Sequence, residues 1–393
     1  MYDAIIVGGG PAGSHLAGRL ADAGYKVMVL DRKRSLDIPV CCTGIISLDC
    51  VRSYGVDESL ILRRMSSARF FSPSGKELYL KMPGPLACVV DRAALNAAFA
   101  QRAQIKGVEY VLNSRVEDIS VCRESAGVTI AGQRGVPDHI EARVVIIAGG
   151  FASKLAKTIG QGWFADSITG AQTEVEIAEV DETEIYFGRE VARGFFAWLV
   201  PTVSGKALVG LLSRRDPGQC LKDLVSALTA QGKIISATGK ITYGGIPLVP
   251  LPRTYGDRRL VVGTAAGQVK PTTGGGIYYG LLCADIAADC LLQALEKDSL
   301  LAKDLAGYER NWRKKLAGEL RIGYRARRIY EWLSDGQIDQ VFDIIKDNGI
   351  DKALLEADDL AFDWHGNVVL RLLRQKVLAN AFKAMKVPFL AKR

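Results

Sequence analysis

The chain has 393 residues, 48% of them hydrophobic, which is enough to bury the cores of two closely joined domains. Its 51 lysines and arginines exceed its 43 aspartates and glutamates, but no recognition motif accompanies this basic excess, so we exclude nucleic acid as a partner. No run reaches the roughly 18 apolar residues that a membrane span needs. The eight cysteines follow neither a disulfide-scaffold nor a zinc-ligand spacing. We therefore expect reduced thiols, no metal and a cytoplasmic location.

The chain opens with a strand–loop–helix–strand pattern that is typical of dinucleotide binding. Its first apolar run is short and has no basic flank, so it predicts a strand rather than a secretory signal. Gly8 then makes a tight turn, Gly10 lets a pyrophosphate approach the backbone, and Gly13 permits close helix–strand packing. The second strand ends at Asp31, whose carboxylate is placed to bind ribose hydroxyls. The complete unit predicts FAD or NAD.

A second glycine-rich loop, Gly263–Ile277, follows more than 250 residues later and leads into a long apolar helix. Gly274, Gly275 and Gly276 leave the backbone N–H groups at this helix start free of side chains. Such N–H groups can bind an anion or the polar edge of a ring. The loop is either only a tight turn or a second part of the same ligand site. In the second case the two glycine loops must fold against each other.

Four further positions between the glycine loops are candidates for cofactor contact. Cys42 follows another cysteine in a loop, and the two are either small buried residues or place Cys42 beside a flavin ring, where Gly44 would let the backbone approach. Arg92 begins a helix, so it is either a surface charge or a cationic fork for cofactor phosphate or ribityl oxygens. Val116 opens a strand that we expect to pass the adenine.

Residues 153–250 change to alternating strands, which indicate an antiparallel sheet. We interpret this segment as a substrate domain with one face covering the flavin. Phe196 and Trp198 share a face, where they form either core or the wall of a pocket for a long hydrocarbon. The predicted domains are a cofactor domain over 1–150 with 253–298 returning to it, a substrate domain over 151–252 and a helical region over 299–393.

The C-terminal region is predicted to be helical over 308–330, 332–345 and 358–378. Nine basic residues and three acidic ones lie between Lys303 and Arg328. They form either a solvated helix face or a contact with lipid headgroups or a phosphorylated substrate. The tail over 381–393 mixes apolar and basic residues, as interfacial membrane segments and ordinary terminal helices both do.

Together these features resemble the geranylgeranyl reductase family, within the flavoproteins of the p-hydroxybenzoate hydroxylase fold. The resemblance covers essentially the whole chain. It is carried by Gly8 to Gly13 with Asp31, the loop from Cys42 to Ser47, Asp91-Arg92, the Phe196-x-Trp198-x-Val200-Pro201 element, Gly263 to Ile277, and the helix Tyr308 to Arg313. It implies a mixed α/β and α+β fold, with a Rossmann-type FAD-binding domain, an antiparallel-sheet substrate domain and a C-terminal helical extension.

The resemblance implies an enzyme that binds FAD and uses the reduced flavin to saturate C=C bonds of geranylgeranyl lipids. It also implies an isoprenoid lipid substrate held by Phe196 and Trp198, and an electron donor such as NAD(P)H or ferredoxin. The implied FAD contacts are Ala12, Asp31, Cys42, Gly44, Arg92, Val116, Gly276 and Ile277. Thr264 stands where the family has an aspartate for a ribityl hydroxyl, and a threonine hydroxyl can still hydrogen-bond there.

Three other interpretations remain open on the same sequence. A flavin-dependent monooxygenase or halogenase has the same fold, but the chain lacks the catalytic lysine motif of halogenases, and Gly149 replaces the aspartate typical of aromatic hydroxylases. A relative of electron-transfer flavoprotein–quinone oxidoreductase would need a cysteine cluster that the spacing does not offer. A non-catalytic flavin- or prenyl-lipid-binding protein would also explain the two missing aspartates. The sequence identifies no catalytic acid, and Cys42 is the candidate for shaping the pocket.

Overall fold

The computed structural model describes residues 1–131, 137–151, 154–159, 164–356 and 361–385. In chain order its strands are β1 (Tyr2–Val7), β2 (Val27–Leu30), β3 (Ile45–Ser47), β4 (Ile61–Met65), β5 (Ser67–Phe71), β6 (Glu77–Lys81), β7 (Ala87–Val90), β8 (Glu109–Val111), β9 (Val116–Val121), β10 (Ala126–Ile130), β11 (His139–Ile147), β12 (Ser167–Ile177), β13 (Thr183–Phe187), β14 (Phe196–Pro201), β15 (Lys206–Ser213), β16 (Ile234–Ala237), β17 (Thr242–Pro247), β18 (Tyr255–Gly256) and β19 (Arg259–Val261). The helices are α1 (Pro11–Asp22), α2 (Leu48–Tyr54), α3 (Arg92–Ile105), α4 (Pro217–Ala230), α5 (Ile277–Glu296), α6 (Ala302–Trp332), α7 (Asp335–Asp347), α8 (Ile350–Leu355), α9 (Gly366–Arg374) and α10 (Lys376–Ala384).

The chain folds into two compact units, each assembled from three separate segments. The chain therefore passes between units at more positions than the predicted domain boundaries allow. The first unit contains Met1–Pro39, Arg92–Ser167 and Ile246–Gly318. The second contains Val40–Asp91, Ile168–Gly245 and Glu319–Arg393. The segment from Val40 to Asp91 belongs with the second unit because β5 pairs in parallel with β13 and β6 extends the same sheet.

The first unit is built on a sheet in the order β18-β19-β11-β1-β2-β8. Strands β19, β11, β1, β2 and β8 are parallel, and their apolar side chains form a continuous core. Strand β11 pairs antiparallel with β10 at its start and parallel with β1 along most of its length. This sheet places the ends of β1 and β19 beside the helices that follow them.

Helix α5 is the one described helix that is long and apolar enough to cross a membrane by length and composition. Half of its apolar window is buried, and its polar residues pair with α1. His15 Nε2 lies 2.8 Å from an oxygen of Asp285, and Arg19 forms ion pairs with Asp285 and Asp289. A core helix meets the same criteria, so this finding is weak evidence for a span.

The second unit is built on a sheet in the order β16-β12-β15-β14-β13-β5-β6, with β17 also paired to β12. The pairs among β12, β15, β14 and β13 are antiparallel, as predicted. One face packs against α4, a helix within the segment predicted as strands only. The other face carries Phe196 and Trp198, because alternate residues of β14 point to opposite sides.

The C-terminal helices of the second unit pack around Ile329, Phe342 and Phe382. The predicted helix over 358–378 differs from the structure: α9 and α10 are separate helices divided at Gln375, whose extended backbone has φ −62° and ψ 116°. The first residues of that prediction and the tail beyond residue 385 lie outside the described residues.

Candidate functional site

The first glycine loop has the geometry that close packing requires. Gly8 has φ +117°, and a Cβ placed there would lie 2.5 Å from the carbonyl oxygen of Ala148. A Cβ on Gly13 would lie 2.0 Å from the carbonyl oxygen of Gly8. Around Gly10, in contrast, a Cβ would meet nothing within 4 Å. Gly10 also caps α1 without a side-chain hydrogen bond and leaves open space beside the helix start, which suits an anion.

Asp31 is buried at the end of β2, with 8% of its surface exposed. One carboxylate oxygen accepts a hydrogen bond from Gly9 N–H at 2.7 Å, and the other accepts one from Lys33 N–H at 2.9 Å. Each carboxylate oxygen can accept a second hydrogen bond. The backbone therefore fixes the carboxylate and leaves it able to bind two vicinal hydroxyls of a ribose.

A group of cations lies close to Asp31. Burial lowers the pKa of Lys33, Asp31 opposes this effect, and Arg92 and Arg32 lower the pKa further. Nε and Nη1 of Arg92 are buried and have no hydrogen-bond partner among the described residues. Buried guanidinium donors left without partners are costly, so a ligand with oxygen acceptors fits here.

The second glycine loop forms a compact turn between β19 and α5. Lys270 N–H donates to the Gly275 oxygen at 3.0 Å, and Gly274 N–H donates to the Lys270 oxygen at 2.8 Å. Gly276 caps α5 without a side-chain hydrogen bond. A Cβ on Gly276 would lie 3.3 Å from the hydroxyl oxygen of Thr264. The turn therefore places the Thr264 hydroxyl beside a second uncapped helix start.

The two glycine loops fold against each other, as a shared ligand site requires. A Cβ on Gly263 would lie 3.4 Å from the Cβ of Ala12, and a Cβ on Gly280 would lie 3.5 Å from it. Ala12, in the first turn of α1, therefore packs between the loop after β19 and the first turns of α5. Val116, at the start of β9, contributes its side chain to the core of the same unit.

A buried hydrogen-bond chain holds the second loop, and sequence reasoning missed its central residue. Gln268 is fully buried, and its side-chain oxygen accepts from Gly263 N–H at 2.7 Å. Its amide nitrogen donates to the Tyr308 hydroxyl at 2.8 Å, which in turn donates to the Val261 oxygen at 2.8 Å. Nearby, Trp312 Nε1 donates to the Thr254 hydroxyl at 2.9 Å. The only sequence signal for this hydrogen-bond chain was the helix from Tyr308 to Arg313, which resembles the corresponding helix of the geranylgeranyl reductase family.

The remaining predicted residues belong to the second unit. Gly44 has φ +74°, and its carbonyl oxygen accepts from Val90 N–H at 3.0 Å. Cys42 is half-buried with a free thiol. Its neighbour Cys41 lies against Gly244, and burial raises the pKa of the Cys41 thiol to about 11. Cys41 and Cys42 are both half-buried, so the interpretation of the pair as small buried residues describes neither fully.

Phe196 and Trp198 form part of an aromatic face on the sheet of the second unit. The ring centroids of Phe196 and Trp198 are 6.2 Å apart, and those of Phe187 and Phe196 are 6.0 Å apart, both with edge-on geometry. All three side chains are partly exposed rather than sealed in a core. A partly open aromatic face suits a long apolar ligand.

The parallel sheet, the two glycine loops and the buried acidic residue after β2 define a dinucleotide-binding oxidoreductase fold. A family model described as lycopene cyclase protein matches residues 3–334. Digeranylgeranylglycerophospholipid reductase 2 of Methanopyrus kandleri is 32% identical over 354 residues, which are 86% of this chain and 88% of that protein. The chain belongs to the family that this model describes and to the family of the digeranylgeranylglycerophospholipid reductases.

Solved structures show the same fold. A geranylgeranyl bacteriochlorophyll reductase-like protein of Thermoplasma acidophilum has a TM-score of 0.85 and 21% identity, with 98% of each chain covered. A halogenase variant crystallised with FAD has a TM-score of 0.68 and 14% identity, covering 99% of this chain and 98% of that one. These structures confirm the predicted fold class and place the chain in a fold that uses a flavin.

Proposed function

We propose that this protein is an FAD-dependent reductase that saturates C=C bonds of geranylgeranyl chains in lipid biosynthesis. The single observation that carries the proposal is the packing of Ala12 between Gly263 and Gly280. This packing joins the dinucleotide loop to the second glycine loop in a member of the digeranylgeranylglycerophospholipid reductase family. Membership of that family favours a reductase over the monooxygenases and halogenases that share only the fold.

The residues of the first unit fit FAD in chemistry as well as in position. Asp31 would take the ribose hydroxyls, and the open N-terminus of α1 at Gly10 would take the pyrophosphate. Arg92 would donate its unpartnered N–H groups to phosphate or ribityl oxygens, and the Thr264 hydroxyl would bond a ribityl hydroxyl. The N–H groups at Gly276 and Ile277 would meet the polar edge of the ring.

Bound and reduced, FAD would supply a hydride to one alkene carbon, and a proton added to the other carbon would complete the saturation. The chain's contribution is to bind and orient the lipid and to exclude water, because an isolated alkene is unactivated. Phe196 and Trp198 would hold the hydrocarbon. Cys42 would line the substrate pocket. Burial raises the pKa of Cys41 to about 11, so the Cys41 thiol stays protonated at neutral pH. The electron donor would be NAD(P)H, ferredoxin or a similar carrier.

We also propose peripheral contact with the cytoplasmic face of a membrane, supported by exposed cations of α6. Lys314 and Lys315 are exposed in the part of α6 within the first unit, and Arg321 and Arg325 in the part within the second. Arg327 is excluded from this surface, because it is 3% exposed and donates to the Gly194 oxygen and to Glu331.

Replacing these four exposed residues by glutamine should reduce sedimentation with anionic liposomes and leave the melting temperature unchanged. Arg102→Gln is a matched control, because Arg102 contacts Phe99 through a cation–π interaction elsewhere on the protein. Equal sedimentation of the quadruple variant and the native protein would refute the membrane contact.

Mass spectrometry after anaerobic incubation of dithionite-reduced protein with geranylgeranyl lipids tests the enzymatic proposal. Saturation adds two hydrogens, or about 2 Da, at each reduced bond. Cyclisation would leave the mass unchanged, and a parallel aerobic incubation would reveal insertion of oxygen by a monooxygenase. An unchanged lipid mass in protein that holds reducible FAD would contradict the reductase proposal.

A further inference from the structure

Two buried polar atoms on the aromatic face of the second unit have no hydrogen-bond partner among the described residues. They are the indole nitrogen, Nε1, of Trp198 and the amide oxygen, Oε1, of Gln172. The Gln172 side chain is 4% exposed, so it is almost completely removed from solvent. Buried polar atoms in native proteins are nearly always paired, so an unpaired donor and an unpaired acceptor on one face indicate a ligand.

Strand register places the two atoms on the same face with one residue between them. Trp198 of β14 pairs with Gly210 of β15, and Gly210 pairs with Gln172 of β12. The side chains of paired residues point to the same side of a sheet. Trp198 and Gln172 therefore flank Gly210, which has no side chain to separate them.

The indole of Trp198 lies over Gly210. A Cβ on Gly210 would lie 2.6 Å from Cζ2 and 2.7 Å from Cε2 of the indole. Cε2 is bonded to Nε1, so the N–H edge of the ring is the edge that lies over β15. The indole N–H therefore lies above β15, which is the strand between Trp198 and Gln172.

The chemistry of the two atoms selects the ligand. An indole N–H can only donate, and an amide oxygen can only accept. A phosphate or ether oxygen would satisfy the indole but would direct lone pairs at the amide oxygen. An O–H group satisfies both atoms, because its oxygen accepts from the indole while its hydrogen is donated to the amide.

We propose that Trp198 and Gln172 form a hydroxyl-binding subsite within the aromatic face, which takes the O–H group of a prenyl alcohol or of an ordered water molecule. The inference rests on the proposed function for the prenyl chain. It adds a substrate class, free prenyl alcohols, and a residue, Gln172, that lies outside the aromatic motif. Such a subsite would favour an alcohol over an analogue that lacks the hydroxyl.

The test compares the binding of geranylgeraniol and of its methyl ether to the FAD-loaded, oxidised protein by isothermal titration calorimetry. If the subsite binds the alcohol, the native protein should prefer geranylgeraniol by about tenfold, and Gln172→Leu should reduce this ratio to about one. Leu208→Met is the control, because Leu208 lies on the same face and has no hydrogen-bonding side chain. Trp198→Phe provides a second variant should Gln172→Leu fail to fold.

A crystal structure of the native protein completes the test. If both ligands bind equally, an ordered water within hydrogen-bonding distance of Trp198 Nε1 and Gln172 Oε1 would show that water supplies the O–H group. Equal binding together with no oxygen atom bridging the two groups overturns the subsite. If neither prenyl compound binds, the subsite does not take prenyl alcohols, the lipid mass assay decides the proposed function separately, and the crystal structure shows whether an ordered water bridges the two groups.

Discussion

The hydroxyl of Tyr308 donates a hydrogen bond to the carbonyl oxygen of Val261 at 2.8 Å, although the two residues are 47 positions apart. Val261 is the last residue of β19, directly before the second glycine loop. The same hydroxyl accepts from Gln268, which holds the N–H of Gly263. The start of α6 thus fixes both ends of the turn that contains Thr264.

Tyr308→Phe should lower the free energy of unfolding by about 1–3 kcal/mol, because it leaves the buried Gln268 amide and the Val261 carbonyl without a partner. The same variant should bind FAD more weakly, since the turn loses its support. Urea unfolding and flavin titration measure the two effects. Tyr243→Phe is the control, because Tyr243 is 59% exposed. Equal stability of both variants would show that the chain of hydrogen bonds does not support the turn.

Gly10→Ala and Gly13→Ala should separate ligand binding from folding. An alanine at position 10 has φ −73° and open space around its Cβ, so the fold should be unchanged while FAD affinity falls about tenfold or more. An alanine at position 13 would place its Cβ 2.0 Å from the Gly8 oxygen and should unfold or distort the first unit. Thermal melting and flavin titration distinguish the two. Undiminished FAD affinity in Gly10→Ala would place the pyrophosphate elsewhere.

Thr264→Asp should tighten FAD binding by about threefold to tenfold, because a carboxylate accepts a stronger hydrogen bond from a ribityl hydroxyl and is favoured near the N-terminus of α5. Thr264→Val, of similar shape, should weaken binding by a similar factor. Flavin titration by absorbance measures both. If the two variants bind equally, the residue at position 264 does not contact the ribityl chain.

The ion pair between α1 and α5 should make stability depend on pH. Burial alone would raise the pKa of Asp285, but hydrogen bonds and charges from His15 and Arg19 outweigh burial and lower the pKa below 3.8. The ionised form therefore adds stability above pH 3.8, and this contribution disappears as pH falls through the lowered pKa. Asp285→Asn should lose about 1 kcal/mol at pH 7, in keeping with a partly exposed pair, and less near the acid limit. A difference that stays constant with pH would exclude this origin.

The first unit was largely predictable from sequence because its signals are local. Glycines at fixed offsets and a buried acidic residue after β2 predict a turn, a helix start and a ligand contact within one segment. The juxtaposition of Ala12 with Gly263 was predicted only as a condition of a shared site, since no local pattern links two loops so far apart.

Long-range pairing and side-chain direction explain what the sequence did not predict. Strand β11 changes partners along its length, from β10 to β1, and no local pattern in the sequence indicates that change. Nothing in the sequence distinguishes Arg327, which is buried against Gly194 and Glu331, from its exposed neighbours on α6. No local pattern distinguishes Gln172 and Gln268 from the other glutamines of the sequence, and only the folded structure shows that both are buried.

Because the Trp198 indole packs directly on Gly210, the residue at position 210 determines how much space the aromatic face leaves for a ligand. A methyl group at position 210 could not coexist with the ring, which would have to tilt away from the sheet. Gly210→Ala would therefore narrow the space above β15 by displacing the Trp198 ring, although no residue that faces a ligand is replaced. A substitution at position 210 could therefore tune the length or bulk of the accepted hydrocarbon by moving an aromatic ring, without replacing any aromatic residue.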